Sequence, residues 1–135
     1  MLLKHKRIFI IEDNLNNRAI TQMILEQQGA RTAFERWGPD AVEKLEKFLP
    51  VDLILLDLMF PGGITGYDIF EEIRSHESLQ HIPIVAVSAA DPSVAIAKTQ
   101  ELGFNGYISK LIQFAGFPKQ IAAILNGESV WDSHD

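Results

Sequence analysis

Four short apolar runs of this 135-residue chain each end in polar side chains, and this repetition limits the folds open to it. The runs and their endings are Arg7–Ile11 before Glu12 and Asp13, Val51–Leu56 before Asp57, Ile82–Val87 before Ser88, and Gly106–Ser109 before Lys110. Runs that are short and apolar on both faces are typical of buried parallel strands. In one parallel sheet, all the polar endings lie along a single edge, where open α/β sheets bind their ligands.

Amphipathic segments separate these runs and predict helices between the strands. After the first run, Asn14 is a predicted helix cap, and Ile20, Met23 and Ile24 recur at helical spacing before Gly29 ends the helix. A weaker strand follows over residues 30–35. The order strand then helix occurs five times and predicts an α/β fold: a five-stranded parallel sheet, doubly wound, in a (β/α)5 three-layer sandwich.

Later helices are indicated by their start signals. Gly38-Pro39-Asp40 marks the turn into the second helix, Gly66 opens the third, Asp91 caps the fourth and the last follows Pro118. We expect one domain over residues 1–135, with a core of about 6–126. The polar tail 127–135, which contains Trp131, is predicted to be loosely held, as a docking element or a disordered end.

Composition argues against several classes of partner. The formal net charge is −6 and no run of lysine or arginine stands out, so nucleic acid and membrane surfaces are not expected as partners. No apolar stretch is long enough to span a bilayer. The chain has no cysteine, which excludes disulfides and thiolate metal sites and fits a cytoplasmic location.

Each polar strand ending has an ordinary structural interpretation when taken alone. Asp13 can cap a helix with Glu12 solvated, Asp57 can organise a turn, Ser88 can cap a helix, and Lys110 can be a surface lysine. Together they favour chemistry, because clustered carboxylates raise each other's pKa unless a cation compensates. Mg²⁺ prefers such oxygen ligands, and lysine and serine suit a phosphoryl group. The set therefore predicts a site for a divalent cation and phosphoryl transfer.

In this order and spacing the motifs resemble those of response regulator receiver domains, over about residues 6–126. The resemblance implies a flavodoxin-like fold, with Asp57 as the phosphoacceptor. It also implies that Asp13 binds Mg²⁺ (or Mn²⁺) directly, that Glu12 is the second acid, and that the backbone carbonyl of Met59 completes the protein ligands. By the same resemblance Ser88 and Lys110 act on the phosphoryl group.

The resemblance further implies that Tyr107 is a switch residue that turns inward on activation, although an ordinary aromatic at a strand edge would look the same. Two departures from the family pattern stand out. Leu111 replaces the usual cis proline after Lys110; a non-proline cis bond costs ~3 kcal/mol, so a trans bond and a less firmly aimed lysine are expected. The loop 62–66 is also longer than usual.

The function predicted is that of a signalling module in a two-component phosphorelay, rather than of a turnover enzyme. Its partners are expected to be a sensor histidine kinase or a histidine phosphotransfer protein, and a downstream protein target that docks on the fourth helix, fifth strand and last helix. Two alternatives stay open: a pseudo-receiver that binds proteins without phosphorylation, and a metal-dependent phosphohydrolase. A flavodoxin-type flavin site is disfavoured because acids after the first strand would repel the flavin phosphate.

Overall fold

The computed structural model describes residues 1–36 and 38–132, although the side chain of Pro39 is outside the description. These residues form one sheet of six strands with five α-helices. In chain order the elements are β1 (Arg7–Ile11), α1 (Leu15–Gln27), β2 (Arg31–Glu35), α2 (Ala41–Phe48), β3 (Leu53–Leu56), α3 (Gly66–Ser75), β4 (Ile84–Ser88), α4 (Pro92–Leu102), β5 (Gly106–Ser109), α5 (Phe117–Leu125) and β6 (Val130–Asp132). Among these residues, no helix is long and apolar enough to cross a membrane.

The sheet is parallel throughout, with the strand order β2-β1-β3-β4-β5-β6. Because β1 lies between β2 and β3, the chain winds one way from β1 and then the other way. The predicted doubly wound α/β fold is therefore confirmed. The winding changes direction between β1 and β3, and the carboxyl ends of those two strands border the crevice where such sheets bind ligands.

Hydrophobic cores cover both faces of the sheet, which explains why the strands read as continuous apolar runs. Along β1, Ile8 and Ile10 pack in the core formed with α1 and α5, while Phe9 and Ile11 pack in the core formed with α2, α3 and α4. All four side chains are at most 3% exposed. This two-sided burial holds the strands rigidly, so that the side chains at their carboxyl ends have defined positions.

The buried face of α1 differs from the one the spacing predicts. Ile20 and Met23 are 40% and 43% exposed, whereas Thr21, Ile24 and Leu25 face the sheet. Thr21 tolerates burial because its hydroxyl donates to the carbonyl of Asn17 at 2.8 Å. The sequence thus identified the helix and the burial of Ile24 correctly, but it placed Ile20 and Met23 wrongly on the buried face.

The tail also differs from expectation, since residues 130–132 form the sixth strand. The fifth strand would otherwise leave one edge without a partner, and β6 supplies that partner. The remaining part of the predicted tail, 133–135, lies outside the described residues.

Candidate functional site

The predicted acids meet at the carboxyl edge of the sheet. Glu12 and Asp13 directly follow β1, and Asp57 directly follows β3. One carboxylate oxygen from each lies within 4.8 Å of the other two. Glu12 and Asp57 are buried, at 5% and 7% exposure, and Asp13 is exposed. The strand ends are fixed in relation to each other, because the Asp57 amide donates to the carbonyl of Ile11 at 3.0 Å.

Lys110 enters this acidic cluster from the end of β5. Its Nζ donates to Asp57 Oδ2 at 3.1 Å and forms a second ion pair with Glu12. The lysine side chain is only 12% exposed. A buried ammonium between two buried carboxylates partly compensates their mutual repulsion, so Lys110 belongs to the site and is not a surface lysine.

The peptide bond from Lys110 to Leu111 is cis, so the expected trans bond was wrong. The local preference of an isolated bond does not decide the conformation where the surrounding structure determines it. The expectation of a loosely aimed lysine was wrong as well. The Lys110 amide donates to the Ser88 carbonyl at 2.9 Å, and the side chain has its two carboxylate partners.

The pKa values of Glu12 and Lys110 are both raised within the cluster. Burial, followed by the hydrogen bond with Asp57, raises the pKa of Glu12 to about 7, although Lys110 acts in the opposite direction. Burial would by itself lower the pKa of Lys110, but attraction to Asp57 and Glu12 outweighs it and raises that pKa. The attraction of Lys110 is therefore too weak to offset the effect of burial on Glu12.

Ser88 and Tyr107 lie next to each other beside the cluster. Ser88 is fully buried at the end of β4, and its Oγ accepts from the amide of Ala90 at 3.1 Å. Tyr107 is also fully buried, and its hydroxyl donates to the carbonyl of Ala90 at 3.0 Å and to that of Ser88 at 3.4 Å. The predicted switch residue thus already occupies an inward position.

The loop after β3 contacts Asp57 through its backbone. The amide of Met59 donates to Asp57 Oδ1 at 3.3 Å, which orients the carboxylate. The role of the Met59 carbonyl as a metal ligand remains a prediction. In the longer loop, Gly62 and Gly63 adopt the left-handed conformation, with φ of 81° and 80°.

Sequence reasoning missed the structural role of Gly66. A Cβ at this position would lie 2.7 Å from the Cα of Leu58 and would collide with the carbonyl oxygen of Asp57. The missing side chain lets the start of α3 approach the end of β3, where the Gly66 amide donates to Leu58 at 2.9 Å. The glycine was visible as a helix start, but only the packing shows why no other residue fits there.

The donor set is suited to a hard divalent cation. Three carboxylates converge, and all the side-chain donors are oxygens. Burial, followed by the hydrogen bond with Asp57, raises the pKa of Glu12, and a bound cation would favour its ionised form. Mg²⁺ takes oxygen ligands and retains several waters, so the protein needs to supply only part of its coordination shell, here from the ends of two adjacent strands. Glu12, Asp13 and Asp57 are the side chains that would hold it.

Comparison with known proteins agrees with this geometry. Residues 8–122 match the response regulator receiver domain. This chain belongs to the response regulator receiver domain family. The receiver is 31% identical, over 120 residues, to the polar-differentiation response regulator DivK of Brucella ovis, an alignment that covers 89% of this chain and 96% of the relative. A relative in Brucella anthropi with the same name is 30% identical over the same length and shares.

Solved receiver structures superpose on the chain. The receiver domain of the sensor histidine kinase PA1611 from Pseudomonas aeruginosa, solved with a magnesium ion in its active-site cleft, is 27% identical with a TM-score of 0.78; the match covers 92% of this chain and 99% of that one. A CheY-like receiver from Methanospirillum hungatei is 20% identical with a TM-score of 0.80, over 92% and 96% of the two chains, which supports the fold.

Proposed function

We propose that this receiver accepts a phosphoryl group on Asp57, with Mg²⁺ bound by Glu12, Asp13 and Asp57, and that phosphorylation controls its binding to a downstream protein. The observation that carries this proposal is the convergence of three carboxylate oxygens within 4.8 Å, with Lys110 paired to the Asp57 carboxylate at 3.1 Å. Lys110 thus places an ammonium group beside the proposed acceptor carboxylate, where it can also bind a phosphoryl oxygen.

The chemistry expected is a transfer between a phosphohistidine and a carboxylate. An Asp57 oxygen forms the new bond to phosphorus while the phosphorus–nitrogen bond of the donor breaks, and the electron pair stays on the imidazole. When bound, Mg²⁺ supplies positive charge for the phosphoryl oxygens. Lys110 holds the acceptor carboxylate in place, and its ammonium can then pair with a phosphoryl oxygen.

Ser88 lies at the end of β4, the strand that pairs with β3. Its hydroxyl currently accepts from the Ala90 amide at 3.1 Å, so its proton is available for another acceptor. A phosphoryl oxygen on Asp57 would provide one. Movement of Ser88 toward it would disturb the β4–α4 loop, and in this way the chemical change at Asp57 can reach the protein surface.

A protein is the expected phosphoryl donor, either a sensor histidine kinase or a histidine phosphotransfer protein. Exposed apolar side chains flank Lys110: Leu111 is 82% exposed and Phe114 is 60% exposed. With Ile20 and Ile112 they line a groove of about 220 Å³ between α1 and the β5–α5 loop. Exposed apolar surface beside a reactive site favours docking of a protein partner.

The first test is labelling by acetyl phosphate and Mg²⁺, followed by intact mass spectrometry. Wild type should gain one phosphoryl adduct, and Asp57→Asn should gain none. Asp52→Asn is the matched control, because Asp52 lies just before the opposite end of β3, where it accepts from the Arg7 amide at 2.8 Å. An adduct on Asp57→Asn at the wild-type yield would contradict the assignment, and labelling of neither protein would favour a pseudo-receiver.

The second test separates donor docking from chemistry. Phe114→Ser should slow labelling by a phosphorylated histidine phosphotransfer protein and leave labelling by acetyl phosphate unchanged. Equal slowing with both donors would place Phe114 in the chemical step instead of in docking. Incubation with free phosphate esters tests whether the protein is a turnover enzyme. A phosphohydrolase would hydrolyse them many times over, whereas a receiver should take up a single phosphoryl group on Asp57.

A further inference from the structure

Strand β6 extends the sheet by one strand and covers the edge of β5. Its residues pair in parallel register with β5: Val130 with Gly106, Trp131 with Tyr107, and Asp132 with Ile108. Val130 packs against the core shared by α1 and α5, and Trp131 packs against the opposite core, which includes Tyr107. The short strand therefore continues both hydrophobic faces of the sheet.

Specific features of β5 and α5 hold β6 in place. A Cβ at Gly106 would lie 2.7 Å from the carbonyl oxygen of Val130, so β6 approaches β5 this closely only because Gly106 has no side chain. Gln120 of α5 donates through Nε2 to Asp132 Oδ2 at 2.6 Å. These contacts come from two elements and are directed at β6, which distinguishes it from a tail that lies on the surface by chance.

Tyr107 is the residue most affected by this arrangement. Register partners in a parallel sheet point to the same face, so Trp131 flanks Tyr107 on the side of β5 that would otherwise be open. Tyr107 is 0% exposed, and its hydroxyl donates to the carbonyl of Ala90 in the β4–α4 loop and to that of Ser88 at the end of β4. To reach solvent past the sheet edge, the tyrosine ring would have to displace Trp131.

We propose that β6 is a built-in lock that keeps Tyr107 buried and bonded to the β4–α4 loop whether or not Asp57 carries a phosphoryl group. Tyr107 therefore does not alternate between outward and inward positions in this protein. The phosphorylated half of this statement rests on the proposed function. The unphosphorylated half rests only on the contacts of β6, so the two halves are tested separately.

Nitration by tetranitromethane reads the exposure of tyrosine directly. The chain has two tyrosines and no cysteine, so Tyr67 serves as an internal reference and no thiol competes for the reagent. Tyr67 is half-buried, with the Lys98 ammonium 4.1 Å from its ring centroid. In wild type, peptide mapping by mass spectrometry should find nitration at Tyr67 and little at Tyr107.

Two variants open the lock by different routes. Trp131→Ala removes the flanking ring, and Gly106→Ala pushes the Val130 backbone away without altering either aromatic residue. Each should raise nitration of Tyr107 relative to Tyr67 by roughly tenfold, the change in open population expected when the packing of Trp131 beside Tyr107 is lost. Phe48→Ala is the matched control, since Phe48 is a half-buried ring of the same core that packs on Phe9, far from β5.

The outcomes discriminate clearly. If Tyr107 is nitrated no more in Trp131→Ala and Gly106→Ala than in wild type, the lock is overturned. An equally large rise in Tyr107 nitration in Phe48→Ala would also overturn it. Circular dichroism identifies a variant that unfolds, and Gln120→Ala, which removes the hydrogen bond from Gln120 to Asp132, then replaces it.

With acetyl phosphate and Mg²⁺, Tyr107 of the wild type should stay unreactive, and increased nitration on phosphorylation would also overturn the proposal. Failure of phosphorylation itself would count against the proposed function and leave the unphosphorylated test intact.

Discussion

Replacement of Glu12 by glutamine should stabilise the fold at alkaline pH. Burial of the ionised Glu12 carboxylate costs folding free energy, and burial of a neutral group in its place does not carry that cost. Its pKa of about 7 in the folded protein compares with an ordinary value of 4.5. At roughly 1.4 kcal/mol for each pKa unit, ionised Glu12 costs on the order of 3 kcal/mol of folding free energy. Glutamine has the shape of the protonated acid and avoids this cost.

The difference in stability between Glu12→Gln and wild type should grow as the pH rises. Below pH 4.5 the carboxyl group is protonated in both the folded and unfolded states, so wild type and Glu12→Gln should be about equally stable. As pH rises from 4.5 to about 7, the unfolded chain releases the proton first and wild type loses stability relative to the variant. Above pH 8 the difference should be constant at about 3 kcal/mol, because the pKa of about 7 already includes the attraction of Lys110.

Urea unfolding at pH 5, 6, 7 and 8, with a chelator present, measures this difference. With a slope of about 2 kcal/mol per molar urea, the variant's midpoint should exceed that of wild type by roughly 1.5 M at pH 8. Glu43→Gln is the control, because the Glu43 side chain is 74% exposed and its loss should change little at any pH. The reasoning is refuted if the difference between the two urea midpoints does not vary with pH, or if Glu12→Gln is less stable than wild type at pH 8.

Three further predictions concern the site and its support. Gly66→Ala should cost about 1–3 kcal/mol in urea unfolding, because the added methyl group meets the backbone of Leu58; an unchanged midpoint would show that α3 can shift at no cost. Asp91→Ala should cost about 1 kcal/mol by the same assay, since Asp91 caps α4, and Asp91→Asn should restore most of it. Mg²⁺ affinity, measured by calorimetry, should fall for Asp13→Ala, and in wild type it should weaken as pH drops below about 7, because Glu12 then takes up a proton; a flat profile would remove Glu12 from the ligand set.

Sequence reasoning succeeded where one element at a time determines the result. The strand ends were predictable because apolar runs with two buried faces can only be central strands, and parallel strands must end at one edge. The same logic predicts that Glu12, Asp57 and Lys110 lie together, and in the structure the Lys110 ammonium contacts both carboxylates. Helix caps such as Asn14 and Asp91 were equally visible, because capping depends on residues only two or three positions apart.

Features that depend on contacts between distant segments were out of reach. The rotation of α1, which buries Thr21 and exposes Met23, follows from how the helix packs on the sheet. The Lys110 side chain pairs with Glu12, which lies 98 positions away in the chain. Strand β6 has only three residues and no apolar repeat of its own, so its sequence carries almost no strand signal.

The amino-acid sequence by itself determined the parallel sheet and the chemical identity of its polar edge, since periodicity and strand endings are local properties. The tertiary structure alone decided the surroundings of that edge. Burial sets the pKa of Glu12, the close approach permitted by Gly106 seats β6, and Trp131 then encloses Tyr107. Each of these depends on the distance between groups far apart in the chain, and such distances exist only once the whole domain has packed.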